Sequence, residues 1–135
     1  MNVFYHFTTS DAVGPIRREG LTLGLTPTGD GGFVTRTQWL TKDGDVGHQQ
    51  VLKGVTGLWD RTDARVKLCI PTPCMERLRP FAAFCREFPE LYGKRILPEL
   101  TLCPEESWFV YLGVIPASWI INIRHYHPSG KGAAR

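Results

Sequence analysis

The chain has 135 residues, a length that allows one domain built around one hydrophobic core. Its hydrophobic content of 42%, aromatic content of 11% and charged content of 21% are typical of a globular protein and exclude a fibrous or low-complexity chain. The formal net charge of +3 suits an anionic ligand or an acidic partner, but it does not by itself indicate nucleic-acid binding.

The sequence shows neither a membrane-spanning segment nor a secretory leader. No run approaches the roughly 20 apolar residues that cross a bilayer. The N-terminus starts directly in a strand pattern, without a charged and then apolar leader. The cysteines lack CxxC spacing, so reduced core thiols in a cytoplasmic protein are the simplest interpretation, and disulfides stay open as an alternative; they are Cys69, Cys74, Cys85 and Cys103.

The first third of the chain predicts a strand, a short helix, a loop and a second strand. The aromatic run VFYHFTT (Val3 to Thr9) is typical of a strand, and a helix over about 11–19 follows it, ended by Gly20 in a left-handed conformation. Residues 22–32 are rich in glycine, threonine and proline, which predicts a loop. FVTRTQWLT (Phe33 to Thr41) then predicts one β-rich segment.

The rest of the chain predicts three more strands and an interrupted helix. Residues 42–62 have no clear period and predict a long irregular segment, followed by the alternating strand ARVKLCIP. From Met75 to Phe88, apolar residues recur at spacings of three and four, which predicts an amphipathic helix that Pro80 divides into two pieces. Two further strands are predicted over about 107–114 and 120–126.

This order of elements, β-α-β-β-α-β-β, predicts a fold of the α+β class. We expect a single domain over residues 1–127 and a flexible C-terminal tail over 128–135.

Four common enzyme signatures are absent from the sequence, namely GxGxxG, GxxxxGK[ST], GxSxG and HExxH. The HYH stretch places His125 and His127 on one face of a strand, but no third ligand has a suitable spacing. We therefore predict no metal site.

Four short motifs occur in the order that a known family shows: YHFTT, EGL, WLT and EESWFVY. Together they resemble the H–Y/W–E branch of the ADP-ribosyltransferase fold. The opening YHFTT…IRREGL also looks like the start of the DNA-modifying ADP-ribosyltransferase toxins, and ESWFVYLGVIPASWI is similar to the strand and turn after the family's glutamate. The resemblance covers about residues 3–123. It implies a split antiparallel or mixed β-sheet core with short flanking helices, and a cleft that takes NAD as a substrate.

By this resemblance, His6 would contact the adenosine ribose and Trp39 would stack on the nicotinamide. Glu106 would hold the nicotinamide-ribose hydroxyl and stabilise the transition state. Thr8, on the same side of its strand as His6, and Thr41, which closes the WLT motif, complete the expected NAD-binding set. Glu105 remains the alternative carboxylate, because it is adjacent to Glu106.

These residue types suit the chemistry, because breaking the nicotinamide–ribose bond passes through an oxocarbenium-like centre that a nearby carboxylate stabilises. Each residue also has a structural interpretation. His6 is alternatively a core or edge histidine bonded to a backbone carbonyl, Trp39 a core aromatic, and the two glutamates a solvated turn before a strand.

The resemblance predicts an NAD-dependent ADP-ribosyltransferase of the toxin or phage–host conflict type. Its acceptor would be a protein or a nucleic acid, chosen by loops 22–32 and 42–62. A second hypothesis is a catalytically silent binding or inhibitor protein, with Trp59 or Trp119 exposed at an interface. Further alternatives are an NAD hydrolase and an RNA 2′-phosphotransferase, for which the available cations are Arg17, Arg18 and Arg36.

Overall fold

The computed structural model of the protein describes residues 2–27, 33–49, 63–87 and 105–126. The strands, in chain order, are β1 (Val3–Thr8), β2 (Leu25–Pro27), β3 (Phe33–Thr35), β4 (Thr37–Thr41), β5 (Ala64–Cys69), β6 (Leu78–Pro80), β7 (Trp108–Leu112) and β8 (Ile120–His125). The α-helices are α1 (Val13–Glu19), α2 (Val46–Gln49) and α3 (Phe81–Glu87). Short 3₁₀ helices occur at Ser10–Ala12, Thr72–Arg77, Glu105–Ser107 and Ala117–Trp119. The predicted tail, 128–135, lies outside the described residues.

A six-stranded sheet with the order β6-β7-β4-β1-β5-β8 forms the centre of the fold, and β2 and β3 form a separate two-stranded sheet. Every strand pair in the described part of the chain is antiparallel. Short helices accompany this antiparallel sheet, which confirms the predicted α+β class.

The strand register divides the side chains of the main sheet between two faces. Paired residues of an antiparallel ladder point to the same side. Phe4 pairs with Leu68 on one face, whereas Tyr5 pairs with Thr41 on the other. We call the first the core face and the second the α3 face, because α3 packs on the second one.

The core face carries the main hydrophobic core. Side chains from β1, β4, β5 and β7 meet those of α1 and the segments around Leu21 and Ile115; the buried members are Phe4, Ile16, Leu21, Leu40, Val66, Leu68, Ile70, Tyr111 and Ile115. Trp119, expected as an exposed contact residue, is instead half-buried against Tyr111, with ring centroids 5.8 Å apart.

The end of α1 is joined to the segment that follows β7. Gly20 donates its backbone N–H to the Ile16 carbonyl at 2.8 Å. Its φ of +87° is positive, as predicted, but its ψ of −165° is extended rather than left-handed helical. Leu21 and Ile115 then exchange two backbone hydrogen bonds of 2.8 and 3.1 Å. The predicted helix over 11–19 is confirmed, with its first turn in the 3₁₀ form.

The α3 face carries a smaller aromatic layer on β4 and β7. Phe81 and Phe84, both buried, project from α3 onto Trp108 and Val110. Trp39 lies between the two pairs and contacts both clusters. This layer covers only the β6-β7-β4 half of the sheet.

Three predicted boundaries were wrong. The segment predicted as a helix from Met75 begins as the 3₁₀ helix Thr72–Arg77 and then forms β6, because Leu78–Pro80 pairs with β7. The predicted single strand from Phe33 to Thr41 divides at Arg36, whose φ is 58°. Part of the predicted loop 22–32 is β2, which pairs with β3.

The described cysteines, Cys69, Cys74 and Cys85, are half-buried, whereas Cys103 and Trp59 lie outside the described residues. Within those described ranges, no helix is long and apolar enough to span a bilayer.

Candidate functional site

The residues predicted to bind or cleave NAD come from three adjacent strands. His6 and Thr8 lie on β1, Trp39 and Thr41 lie on β4, and Glu106 directly precedes β7. Because the sheet order places β4 between β7 and β1, the fold brings these distant parts of the sequence together.

His6 lies on the core face, where it pairs with Val66 of β5 and is half-buried. Its Nδ1 donates a hydrogen bond to the backbone carbonyl of Trp39 at 2.9 Å. Because a carbonyl only accepts, the proton of the neutral ring lies on Nδ1, and Nε2 is the acceptor. The strand neighbour therefore fixes both the tautomer and the direction of this imidazole.

The ring of Trp39 points to the other face of the sheet. Its centroid lies 5.6 Å from that of Phe81 and 6.2 Å from that of Trp108. The register explains this, because Tyr5 pairs with Thr41 and so places Trp39 on the side opposite His6. Trp39 thus meets His6 through its backbone carbonyl, while its ring belongs to the aromatic layer under α3.

The two predicted threonines are also divided between the faces, and both are buried. Thr8 pairs with Ala64 on the core face. Thr41 accepts the N–H of Asp43 at 3.0 Å, and its hydroxyl lies 3.3 Å from that of Ser107. Thr41 therefore closes the end of β4 through internal hydrogen bonds.

Glu106 is exposed in the 3₁₀ turn that leads into β7. The next residue, Ser107, accepts the backbone N–H of Lys42 at 2.9 Å. This backbone hydrogen bond joins the turn that contains Glu106 to the residue after β4. The backbone of Glu105 belongs to the same turn.

The side chain of Lys42, the residue after β4, lies on the core face. Its ammonium nitrogen lies 5.6 Å from the ring centroids of both Phe4 and Phe109. Phe4 shares the core face with His6, so the cation of Lys42 and the imidazole of His6 occupy the same side of the sheet.

Sequence reasoning missed a cluster of polar side chains after β4. His48 Nδ1 donates to Asp43 Oδ2 at 2.6 Å, and its Nε2 lies 3.6 Å from Asp45 Oδ2. The hydrogen bond to Asp43 raises the pKa of His48 above 6.5, and the charges of both aspartates act in the same direction. The spacing DGDVGH was the available signal, hidden in the segment 42–62 that was predicted as irregular.

These groups do not form a metal centre. Among the described residues, no three histidine, cysteine, aspartate or glutamate side chains converge in a way that would hold a metal ion. The Asp43–His48 pair is a carboxylate-oriented imidazole near the end of β4, and His125 lies exposed on β8, far along the sheet order.

Comparisons of the chain with protein-family models, with curated proteins and with solved structures found no match.

Proposed function

We propose that the protein is an ADP-ribosyltransferase-like enzyme that cleaves NAD and transfers ADP-ribose to a macromolecular acceptor. The observation that carries this proposal is the backbone hydrogen bond from the Lys42 N–H to the Ser107 carbonyl at 2.9 Å, because it brings the end of β4 next to the turn that contains Glu106. His6 and the side chain of Lys42 lie on the core face. A carboxylate, a cation and a fixed imidazole are the groups that a dinucleotide with two riboses and a pyrophosphate requires.

Each of the three side chains has a distinct role in the proposed reaction. His6 accepts a ribose hydroxyl at Nε2, and Lys42 pairs with the pyrophosphate. Glu106 stabilises the positive charge that develops at C1′ as the bond to nicotinamide breaks. Nicotinamide leaves as a neutral molecule with the electron pair of that bond, and the acceptor atom bonds to C1′ and gives up its proton.

The geometry gives Trp39 a different proposed role from the nicotinamide stacking that the resemblance implies. Its ring packs at 5.6 Å from Phe81 in the aromatic layer under α3, on the face opposite His6. In the proposed enzyme, Trp39 is a positioning residue whose carbonyl orients His6, and Thr41 is a positioning residue that closes the end of β4 beside Ser107.

An assay that measures the release of nicotinamide from NAD by chromatography tests the proposal. We expect Glu106→Gln to lower the rate of nicotinamide release by about 10²-fold or more, because it removes the negative charge that stabilises the transition state. Isothermal titration of NAD to the same variant should show retained binding. The variant Glu105→Gln shows which of the two adjacent glutamates takes part in the reaction. The variant Glu19→Gln, at the exposed end of α1, is the matched control and should leave the rate unchanged. A wild-type protein that neither binds nor cleaves NAD overturns the proposal.

One observation favours a second candidate, a catalytically silent binding protein on the same fold. The side chains of Trp39 and Thr41 are engaged inside the structure, so neither presents a surface on the His6 side for a nicotinamide ring. NAD binding without nicotinamide release, unchanged by Glu106→Gln, would select this candidate over the enzyme.

The proposal places the protein in the cytoplasm, where NAD is available. Cys69 and Cys74, which form no disulfide among the described residues, fit such a reducing compartment. Nicotinamide release that needs no added acceptor would identify a hydrolase, in which water takes the place of the macromolecule.

A further inference from the structure

The strand β8 forms one edge of the main sheet. β5 lies on its inner side, and within the described ranges no strand lies on its outer side. Most of its residues are exposed, including Arg124 and His125, and Ile121 is 47% exposed. An open edge of this length offers unpaired backbone groups to another extended chain.

The register shows which backbone groups face outward. Tyr126 donates its N–H to the carbonyl of Asp63 at 2.8 Å, and hydrogen-bonded pairs alternate along an antiparallel ladder. His125, opposite Ala64, and Ile123, opposite Val66, are therefore the non-hydrogen-bonded pairs. The N–H and C=O groups of His125 and Ile123 point away from β5, toward the open edge.

Beside this edge, the α3 face of β5 and β8 is basic. Arg65 lies directly opposite Arg124, and Lys67 lies opposite Asn122 in the next pair on the same face. Like charges in opposing positions destabilise a sheet, so stability does not explain this arrangement. Among the described residues, no carboxylate forms an ion pair with Arg65, Lys67 or Arg124.

Arg65 is held in place with donor capacity left over. Its Nη1 donates to the carbonyl of Gly44 at 2.9 Å, and its guanidinium lies 4.8 Å from the centroid of the Tyr5 ring. Its Nε is buried and has no hydrogen-bond partner in the described structure. Both contacts lie on the β1 side of β5, so Arg124 is the arginine that a strand added at the open edge would meet.

We propose that the β8 edge docks an extended, acidic segment of a partner protein, which pairs with the backbone of Ile123 and His125 and places a carboxylate against Arg124. Side chains of an added strand alternate between the two faces. The fitting segment therefore carries acidic residues on the α3 face and apolar residues on the core face, beside Ile123. This interaction goes beyond the proposed reaction, since it involves none of the groups that would contact NAD.

Two features favour a peptide over a nucleic acid. The outward N–H and C=O groups of the edge match the backbone of an extended peptide, and a phosphodiester chain offers no such complement. The nearby rings are also covered: a Cβ on Gly44 would lie 2.8 Å from Cζ of Tyr5, and Arg124 lies 5.2 Å from the Tyr126 centroid. Bases of a single strand stack on open aromatic faces.

Fluorescence anisotropy with a labelled peptide of about ten alternating glutamate and valine residues tests this docking. We expect saturable binding to the full chain that weakens as salt is added. Arg124→Glu should weaken it by about tenfold or more, because it reverses the charge at the edge. Arg18→Glu, an exposed residue of α1, is the matched control and should change the affinity by less than about twofold.

A second pair of variants separates backbone pairing from charge. His125→Pro removes the outward N–H without a loss to the β5 ladder, so it should weaken binding by about tenfold, whereas His125→Ala should not. Thermal unfolding checks that each variant is folded. The proposal is overturned if the acidic peptide shows no saturable binding, or if the His125→Pro variant binds it as tightly as the wild type does. It is also overturned if a thymidine oligonucleotide of equal charge binds as tightly as the peptide and its affinity does not change in the His125→Pro variant.

Discussion

At Gly20, both the backbone conformation and the surrounding atoms exclude an added methyl group. Its φ of +87° disfavours any residue with a Cβ, and a Cβ there would lie 2.0 Å from the Ile115 carbonyl oxygen. We expect Gly20→Ala to lower the free energy of unfolding by about 1–3 kcal/mol or more, measured by urea denaturation. Gly14→Ala is the control: its Cβ would meet Arg18 at 3.6 Å, an ordinary contact inside α1, so stability should rise by about 0.5–1 kcal/mol. Equal effects of the two substitutions would contradict the geometry.

His48 gives a pH-dependent contribution to stability. Its pKa is raised in the folded state, first by the hydrogen bond to Asp43 and then by the charges of Asp43 and Asp45. Protonated His48 therefore stabilises the folded state, and this contribution is complete at any pH below the unfolded pKa of 6.5. The contribution is lost as the pH rises through the higher pKa of the folded state. The stability difference between wild type and His48→Gln should therefore be larger in mild acid than in mild base.

Nuclear magnetic resonance titration measures this pKa directly. Asp43→Asn keeps an acceptor oxygen for the backbone N–H of Asp45 but removes the charge beside His48. The pKa of His48 should then fall toward 6.5. An unchanged His48 titration would show that Asp43 is not its partner in solution.

At this scale, alternation along one strand was enough to place His6 and Thr8 on the same face as Phe4. The facing of Trp39 was not predictable, because it depends on the pairing of Tyr5 with Thr41 across a long stretch of sequence. The WLT motif therefore predicted correctly that Trp39 lies on a strand, but it did not predict the side of the sheet on which the indole ring lies. The roles in NAD binding remain predictions.

The short helix α3 is held to the sheet by few but fully buried side chains. Phe84 is 0% exposed and packs on Val110, with its ring centroid 6.2 Å from that of Trp39. Phe84→Ala should lower the free energy of unfolding by about 3–5 kcal/mol, because it leaves a cavity under the helix. Arg86→Ala, on the exposed side of the same helix, should change it by less than about 0.5 kcal/mol. Chemical denaturation of both variants checks this; a small effect of Phe84→Ala would mean that α3 does not pack as described.

Elements with a local cause were predictable, and elements fixed by distant pairing were not. Gly20 ends α1 by its own conformational freedom, so the sequence located that boundary. Leu78–Pro80 has no local strand signal and forms β6 because β7 offers a partner. The helical spacing from Met75 onward was therefore misleading until after Pro80, where α3 begins.

On the scale of the whole molecule, the sheet order separates the two proposed activities. Glu106 and Lys42 lie at the β7–β4 side, whereas Arg124 and His125 lie on β8, with β1 and β5 between. Perturbations at well-separated sites without shared partners are additive in free energy. The candidate reaction and the candidate docking edge should therefore act independently.

The coupling between the two sites can be measured with one set of variants. Arg124→Glu should bind NAD and release nicotinamide at the wild-type rate, and Glu106→Gln should bind the acidic peptide with wild-type affinity. Titration of NAD in the presence of saturating peptide should give a dissociation constant within about twofold of that without peptide, which corresponds to almost no coupling free energy. A shift of about tenfold or more would mean that β1 and β5 transmit strain across the sheet, since no ligand group is shared between the two ends.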